Sequence, residues 1–289
     1  MPPLIRALRP LHWLKNLLVL VPLFTSGLFV LPRPWLYAGL GFLALSFTAS
    51  AGYLVNDLVD LEADRAHPTK CRRPLASSSI SRGQAMMTAL VLLVLATGTG
   101  IILGTGFLEG IGIYFAVTLS YSLWLKMVPV VDVIVLGLLF TIRIIVGCAA
   151  ISVVPSFWLL AFSLFFFLSI ALAKRFVELK AMIAVGNNSL IRRGYRAEDR
   201  DMISSMGVAS GYVSVLVLAL YVNSDQIRTL YRHPHVFWGL CLLVLYWNSR
   251  TWFLAHRGAL REDPVLFAAT DGISWLIAGI TFLLLLLAR

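Results

Sequence analysis

Apolar residues in this chain fall in long runs separated by short, mostly basic polar stretches. Stretches of about 18 or more apolar residues recur, long enough to cross a hydrocarbon layer about 30 Å thick. The runs predict about nine spans, at approximately 14–31, 35–56, 85–104, 107–125, 130–151, 155–174, 205–222, 234–254 and 265–288. In lipid every backbone amide needs a partner within its own segment, so the runs are expected as helices. Leu31-Pro32-Arg33-Pro34 marks the first turn and Pro155 opens the sixth span, both good helix punctuation. The predicted class is all-α, a polytopic membrane protein with one domain over residues 1–289 and no fixed-period repeat.

Composition agrees. Hydrophobic residues make up 59% and charged residues 13%, whereas a soluble domain needs roughly a quarter charged to cover its surface. Arg6, Arg9 and Lys15 precede an apolar run without a small-residue cleavage site, so a first span is expected and not a signal peptide. Cys71 stands in a basic loop, and Cys148 and Cys241 in apolar runs; the three give neither a disulfide framework nor metal spacing and read as structural.

The basic residues set the orientation. With the N-terminus in the cytoplasm, 19 of the 24 Lys and Arg fall in inside segments, four fall outside, and Arg143 stays within a span. The expected location is a bacterial cytoplasmic (inner) membrane, crossed many times. Most of the +10 net charge is this inside bias. No nucleic-acid reading motif accompanies it, so no nucleic-acid partner is expected.

The strongest chemical signal is Tyr53-Leu-Val-Asn56-Asp57-Leu-Val-Asp60-Leu-Glu62-Ala-Asp64-Arg65, at the cytoplasmic end of the second span. Asn56, Asp60 and Asp64 are four residues apart and Asp57 is three before Asp60, which stacks them on one helix face. Like charges at that spacing repel unless a cation intervenes, and oxygen ligands suit magnesium, which combines one or two carboxylates with substrate phosphates. The expected metal ligands are Asn56, Asp57, Asp60 and Asp64, with Mg2+ as cofactor and a diphosphate-bearing substrate. Lys70, Arg72 and Arg73 follow closely, as neutralisation of a polyphosphate requires. The plainer reading is a solvated helix end, but carboxylates at a membrane boundary are costly and usually functional.

Asn56-Asp57-x-x-Asp60-x-x-x-Asp64-Arg65, with His67-Pro68-x-Lys70-x-x-Arg73-Pro74, resembles the first signature of the UbiA superfamily. The resemblance implies a membrane-embedded transferase of about nine helices, bundled around a central cavity open to the cytoplasm. Three further segments narrow the branch: Arg9-Pro10-Leu-His12-Trp13-Leu-Lys15-Asn16, Lys174-Arg175-Phe-Val-Glu178-Leu179, and Glu262-Asp263 through Asp271. Together they resemble decaprenyl-phosphate phosphoribosyltransferases, which move 5-phosphoribose from phosphoribosyl diphosphate to a polyprenyl phosphate. Aromatic prenyltransferases of the superfamily carry a second aspartate-rich motif after the sixth span, where this chain reads Lys174-Arg175-Phe-Val-Glu178-Leu-Lys180. Acids return only as Glu198, Asp199 and Asp201, in another spacing.

On this resemblance Asp57, Asp60 and Asp64 are the catalytic residues. Lys15, Tyr53, Asn56, Lys70, Arg73, Tyr121, Lys126, Arg143, Lys174, Arg175 and Glu178 are expected to bind substrate. The partners implied are a polyprenyl phosphate lipid, phosphoribosyl diphosphate and the surrounding membrane lipids. Arg143 lies mid-span, where a charge needs a partner or a wet cavity; phosphate contact and an ion pair between helices are equal readings. Arg192-Arg193-Gly-Tyr195-Arg196 reads as an orientation and anionic-lipid segment. Glu262, Asp263 and Asp271 read as helix caps or as partners of a cation. His12 and His67 read as local hydrogen-bonding residues, and Phe165, Phe166 and Phe167 as packing. The competing classes are a prenyltransferase, which needs the second acidic motif, and a transporter, which favours broken helices with polar residues at the bilayer midplane.

Overall fold

The structure, a computed structural model, describes residues 2–66, 70–184, 193–260 and 263–288. His67, Arg192 and Glu262 lie outside the described residues. Among those described, every regular element is a helix. The helices are α1 (Pro3–Leu8), α2 (Val21–Thr25), α3 (Pro32–Val59), α4 (Leu61–Arg65), α5 (Arg82–Leu103), α6 (Thr105–Leu123), α7 (Val131–Ala150), α8 (Phe157–Ala184), α9 (Arg200–Val222), α10 (Asp225–Leu230), α11 (Phe237–Arg257), α12 (Pro264–Thr270) and α13 (Gly272–Ala288).

Six of these elements are long and apolar enough to cross a membrane: α3, α5, α6, α7, α8 and Ala197–Val222. The pair α12 and α13 makes a seventh if counted as one span, bent by 79° between its halves. Two more of the nine expected spans differ in form, besides the bent one at 265–288. α11 has the length of a span but carries Asn248, Ser249 and Arg250 on its way through. The stretch expected at 14–31 is an eleven-residue 3-10 helix, Pro10–Leu20, followed by α2 and a short turn. Runs of 3-10 helix beyond three or four residues are uncommon. Its side chains repeat every three residues, so Trp13, Asn16 and Val19 form one row. Trp13 Nε1 donates to Ser50 Oγ at 3.0 Å and Asn16 Nδ2 to Ser46 Oγ at 3.1 Å. Val19 is fully buried against Gly41 and Gly147.

The chain forms two compact units, each with its own core. The first holds Met1–Leu125 and Ile142–Pro155. Its core gathers Ala51 and Leu54 of α3 with Leu61, Leu75, Ile80 and Ala85, Ala89 and Leu92 of α5. α5 starts on a reciprocal cap: Gln84 N donates to Ser81 Oγ, and Ser81 N donates to Gln84 Oε1.

The second unit holds Lys126–Thr141 and Ser156–Arg289. Gly207, Ser210, Gly211 and Ser214 give α9 a small-residue face, buried against neighbouring helices. Small residues of this kind let helix backbones approach closely in lipid, where packing replaces the hydrophobic effect as the associating force. Ser169 and Trp252 are partnered inside. Ser169 Oγ donates to Gly207 O at 2.7 Å and Trp252 Nε1 donates to Ser169 Oγ at 3.0 Å.

An ion pair joins the start of α7 to α8. Arg175, fully buried, holds the equally buried Asp132 at 2.8 Å and also binds Glu178. Arg193 approaches the same two acids, at 3.4 Å from Asp132 and 3.9 Å from Glu178. Tyr195 lies beneath the Arg175 guanidinium at 5.8 Å and accepts from Val130 N at 2.9 Å. Burial pushes the Tyr195 phenol above its ordinary range, so it stays a neutral cap on this network. Two residues expected to face anionic lipid, Arg193 and Tyr195, are thus turned inward, because the acids of α7 and α8 draw the arginine in.

Two stability measurements test this packing. A methyl on Gly147 would overlap the Val19 carbonyl oxygen and stand 2.9 Å from Val19 Cα, whereas nothing lies within 4 Å of one on Gly112. Gly147→Ala should therefore cost about 1–3 kcal/mol, and Gly112→Ala little, read as melting in detergent. Removing one partner of a buried pair leaves an uncompensated charge, so Arg175→Gln or Asp132→Asn should each cost roughly 3–5 kcal/mol. The double variant Asp132→Leu/Arg175→Leu should recover much of that loss. Equal stability of the single variants and the parent would remove the pair from the scaffold.

Candidate functional site

α3 ends at Val59, and Asp60 (φ −88°, ψ 7°) interrupts the helix before α4 begins at Leu61. The expected stripe therefore crosses a joint rather than running along one continuous helix. Two backbone bonds carry the helical pattern over it, Asp60 N to Asn56 O at 2.9 Å and Asp64 N to Asp60 O at 2.8 Å. Asp57 and Asp64, two turns apart, remain on a shared side, and both are buried, at 3% exposure. Asn56 and Asp60 are partly exposed. Glu62 points outward to Arg82 and Arg65.

Two guanidinium groups hold the buried carboxylates. Arg73 Nη1 donates to Asp57 Oδ1 at 3.0 Å and to Asp64 Oδ2 at 2.6 Å, so one nitrogen bridges the two acids. Arg9 Nη2 donates to the same Asp57 Oδ1 at 2.6 Å. Arg73 leaves a short 3-10 turn, Lys70–Arg72, with its own N–H on Lys70 O. That turn is strapped to α1 by Arg6 Nη2, which donates to Arg72 O at 2.9 Å.

Arg9 joins the site although the sequence motif that contains it does not single it out. Its backbone is left-handed (φ 54°), an uncommon state for a side chain with a Cβ. It forms the joint between α1 and the 3-10 helix, and its guanidinium carbon lies 5.0 Å from the centre of the Tyr53 ring. The His12 ring lies 5.5 Å from Tyr53 on centroids. The available sequence signal was an arginine beside a proline, Arg9-Pro10, at the start of a polar stretch that enters the membrane.

The polar face of α3 continues inward as Tyr53, Ser50 and Ser46, spaced at three and four residues from Asp57. Ser50 Oγ donates to Leu8 O at 2.9 Å. Asn16 Oδ1 accepts from Arg143 Nε at 3.0 Å, and Arg143 Nη2 donates to Tyr114 Oη at 2.9 Å. Arg143, buried and 4.9 Å from the centre of the Tyr114 ring, joins the 3-10 helix to α6 and α7 through neutral groups. Lys15, Tyr53 and Tyr121 in the first unit are partly exposed and Lys70 is exposed.

In the second unit Lys126 lies, partly buried, in a short turn before α7. Lys174 Nζ is 3.7 Å from Asp263, whose other oxygen caps α12 by accepting from Val265 N and Leu266 N. Asp271 likewise does both things expected of it: it takes Arg250 in a two-pronged pair at 2.8 and 2.9 Å and accepts from Ser274 N at 2.9 Å. The substrate contact expected of Arg175 meets a different geometry, since its guanidinium is fully enclosed between Asp132 and Glu178. Glu178 keeps 24% of its side chain exposed.

Among the described residues no group of three His, Cys, Asp or Glu stands close enough to hold an ion. What the site offers is a two-carboxylate seat, marked by the cationic nitrogen of Arg73. Magnesium suits such a seat, because it takes one or two carboxylates and completes its shell with water and phosphate oxygens.

The profile of the UbiA prenyltransferase family matches residues 19–267. The chain is 38% identical over 274 residues to "Uncharacterized protein y4nM" of Sinorhizobium fredii, covering 94% of this chain and 53% of that one, so it spans about half the length of this relative. It is 35% identical over 286 residues to nodulation protein NoeC of Azorhizobium caulinodans, covering 96% and 92%. It is 32% identical over 228 residues to the decaprenyl-phosphate phosphoribosyltransferase of Mycolicibacterium smegmatis, covering 76% and 70%. In fold it matches a UbiA homolog from Archaeoglobus fulgidus bound to DMAPP and Mg2+, with a TM-score of 0.73, 18% identity and 98% of each chain covered. All-helical, membrane-spanning and matched to the profile over most of its length, the chain belongs to the UbiA prenyltransferase family.

Proposed function

We propose that this protein transfers 5-phosphoribose from phosphoribosyl diphosphate to a polyprenyl phosphate and releases diphosphate. The observation that carries this reading is the two-carboxylate seat of Asp57 and Asp64 with basic side chains around it. It is supported by the similarity to decaprenyl-phosphate phosphoribosyltransferases. It is supported too by the sequence at the end of α8, Lys174-Arg175-Phe-Val-Glu178-Leu-Lys180, which carries one acid in place of a second aspartate-rich motif.

In this reading Asp57 and Asp64, with Asp60 and Asn56 beside them in sequence, would hold the cation that accompanies the diphosphate. Magnesium, when bound, supplies charge neutralisation to the leaving diphosphate. Arg73, Arg9 and Lys70 add positive charge around the diphosphate oxygens, where preorganised donors act most strongly. Lys15 in the first unit, and separately Lys126 and Lys174 in the second, are further cations offered to phosphate, and Tyr53 and Tyr121 are further substrate-binding candidates. Arg175 and Arg143 position the helices that carry these groups. An oxygen of the lipid phosphate bonds to ribose C1 as the C1–O bond to diphosphate breaks, and the electron pair leaves with the diphosphate. The lipid phosphate is already an anion, so no general base is required. Holding both substrates in line supplies much of the remainder.

The site lies at the cytoplasmic face in this reading, following the distribution of basic residues. Cys71, partly exposed two residues from Arg73, provides a direct test, since Cys148 and Cys241 are buried. A membrane-impermeant maleimide should label Cys71 in inverted vesicles and leave right-side-out vesicles unlabelled; the opposite pattern reverses the orientation. For the reaction, purified protein is offered labelled phosphoribosyl diphosphate with polyprenyl phosphate, and separately prenyl diphosphate with an aromatic acid, each with and without magnesium. Lipid-linked pentose should form only in the first mixture and only with the metal. Asp64→Asn should lower that turnover by at least about a hundredfold, the scale of losing a charge-stabilising group. Prenylated acid in the second mixture would overturn the assignment.

A further inference from the structure

Arg73 Nη1 lies within hydrogen-bonding reach of one oxygen from each buried carboxylate, 3.0 Å from Asp57 and 2.6 Å from Asp64. A magnesium ion shared by the same two oxygens would need to stand about 2.0–2.1 Å from each. Nitrogen and metal would then compete for one small space between the same atoms, two positive centres in near contact. They exclude one another.

Charge balance points the same way. The two buried carboxylates, Asp57 and Asp64, are matched by two guanidinium groups, Arg9 and Arg73. Both carboxylates are almost wholly out of water. With Arg73 displaced, a dication entering alone would leave Asp57, Asp64 and Arg9 with one net positive charge in poorly hydrated surroundings, which is disfavoured. A diphosphate arriving with the metal returns the balance and gives the displaced guanidinium a two-pronged acceptor, the geometry arginine suits best.

The two arginines differ in how they are held. Arg9 is fixed at its backbone by the left-handed joint and along its side chain by the Tyr53 ring. Arg73 follows a short turn, keeps 26% of its side chain exposed, and reaches the acids through a long flexible stem. A rotation about side-chain bonds moves its guanidinium off the acids while Arg73 N keeps Lys70 O and Ser77 N keeps Arg73 O.

We infer that Arg73 is an internal stand-in for the metal: it occupies the seat at rest, yields it only when cation and diphosphate arrive together, and moves onto the diphosphate as it does so. Arg9 remains on Asp57 as the fixed counter-charge. This rests on the metal-diphosphate part of the proposed function and is independent of which group the diphosphate carries. Its consequence is obligate coupling, in which metal alone binds weakly and each ligand strengthens the other by the same factor.

The test uses Mn2+ as a paramagnetic probe and inorganic diphosphate as an unreactive companion, with the full chain in nanodiscs at controlled free Mn2+. The parent protein should bind Mn2+ at least about tenfold more tightly with diphosphate than without it. Arg73→Gln should bind Mn2+ alone about tenfold more tightly than the parent does, and the coupling should shrink toward unity. Equal parent affinity with and without diphosphate would overturn the inference, as would unchanged coupling in Arg73→Gln. The parent titrations decide the first point even if the variant does not fold. Absence of Mn2+ binding in both proteins under every condition would remove the metal-diphosphate site itself. A prenyl product in the transfer assay, with coupling intact, would change the substrate and leave the role of Arg73 standing.

Discussion

Ionised carboxylates withdrawn from water need positive charge close by, and in this protein that need organises the end of the second hydrophobic stretch. Asp57 and Asp64 are held by arginines contributed from two distant parts of the sequence, one before α3 and one after α4. Each pairing adds to the contacts that hold its piece of backbone in place. Arg9 draws the N-terminal segment against α3, and Arg73 draws the loop after α4 back over the helix end. The same rule governs the second unit, where Arg175 ties α7 to α8 through Asp132. In both places the favourable term is the avoidance of a stranded buried charge rather than the net attraction of a pair, because desolvation removes most of the latter.

Much of this was legible in the residues. Long apolar runs identify helices because lipid leaves the backbone no alternative. The spacing of Asp57, Asp60 and Asp64 groups them at the end of α3 and across the joint into α4. The partners were harder to read. Asp132 and Arg175 are 43 positions apart, Arg9 and Asp57 48, and periodicity carries no information about which distant charges meet. Arg143 was ambiguous for the same reason: its neighbours Asn16 and Tyr114 are neutral, so no charge pattern could announce them.

Hydropathy also overstated regularity. It records how apolar a stretch is and says nothing about its helical repeat, so the segment after Pro10 looked like an ordinary span. The evidence against that lay in a finer pattern. Trp13, Asn16 and Val19 recur every three residues, a period that suits a 3-10 helix and drifts around the face of an α-helix. At the other end of the chain, the span expected over 265–288 is broken at Asp271, which satisfies both Arg250 and the first turn of α13.

That three-residue row has a metric consequence. A 3-10 helix rises about 2.0 Å per residue and an α-helix about 1.5 Å, so three residues of one advance about 6 Å, as do four of the other. Trp13 and Asn16 therefore meet Ser50 and Ser46 in step, like teeth of two racks cut to a common pitch. Recoiling Pro10–Leu20 into an α-helix would shorten it by about a quarter. The teeth would fall out of step within one turn, and Arg9, at the end of the rack, would be pulled away from Asp57.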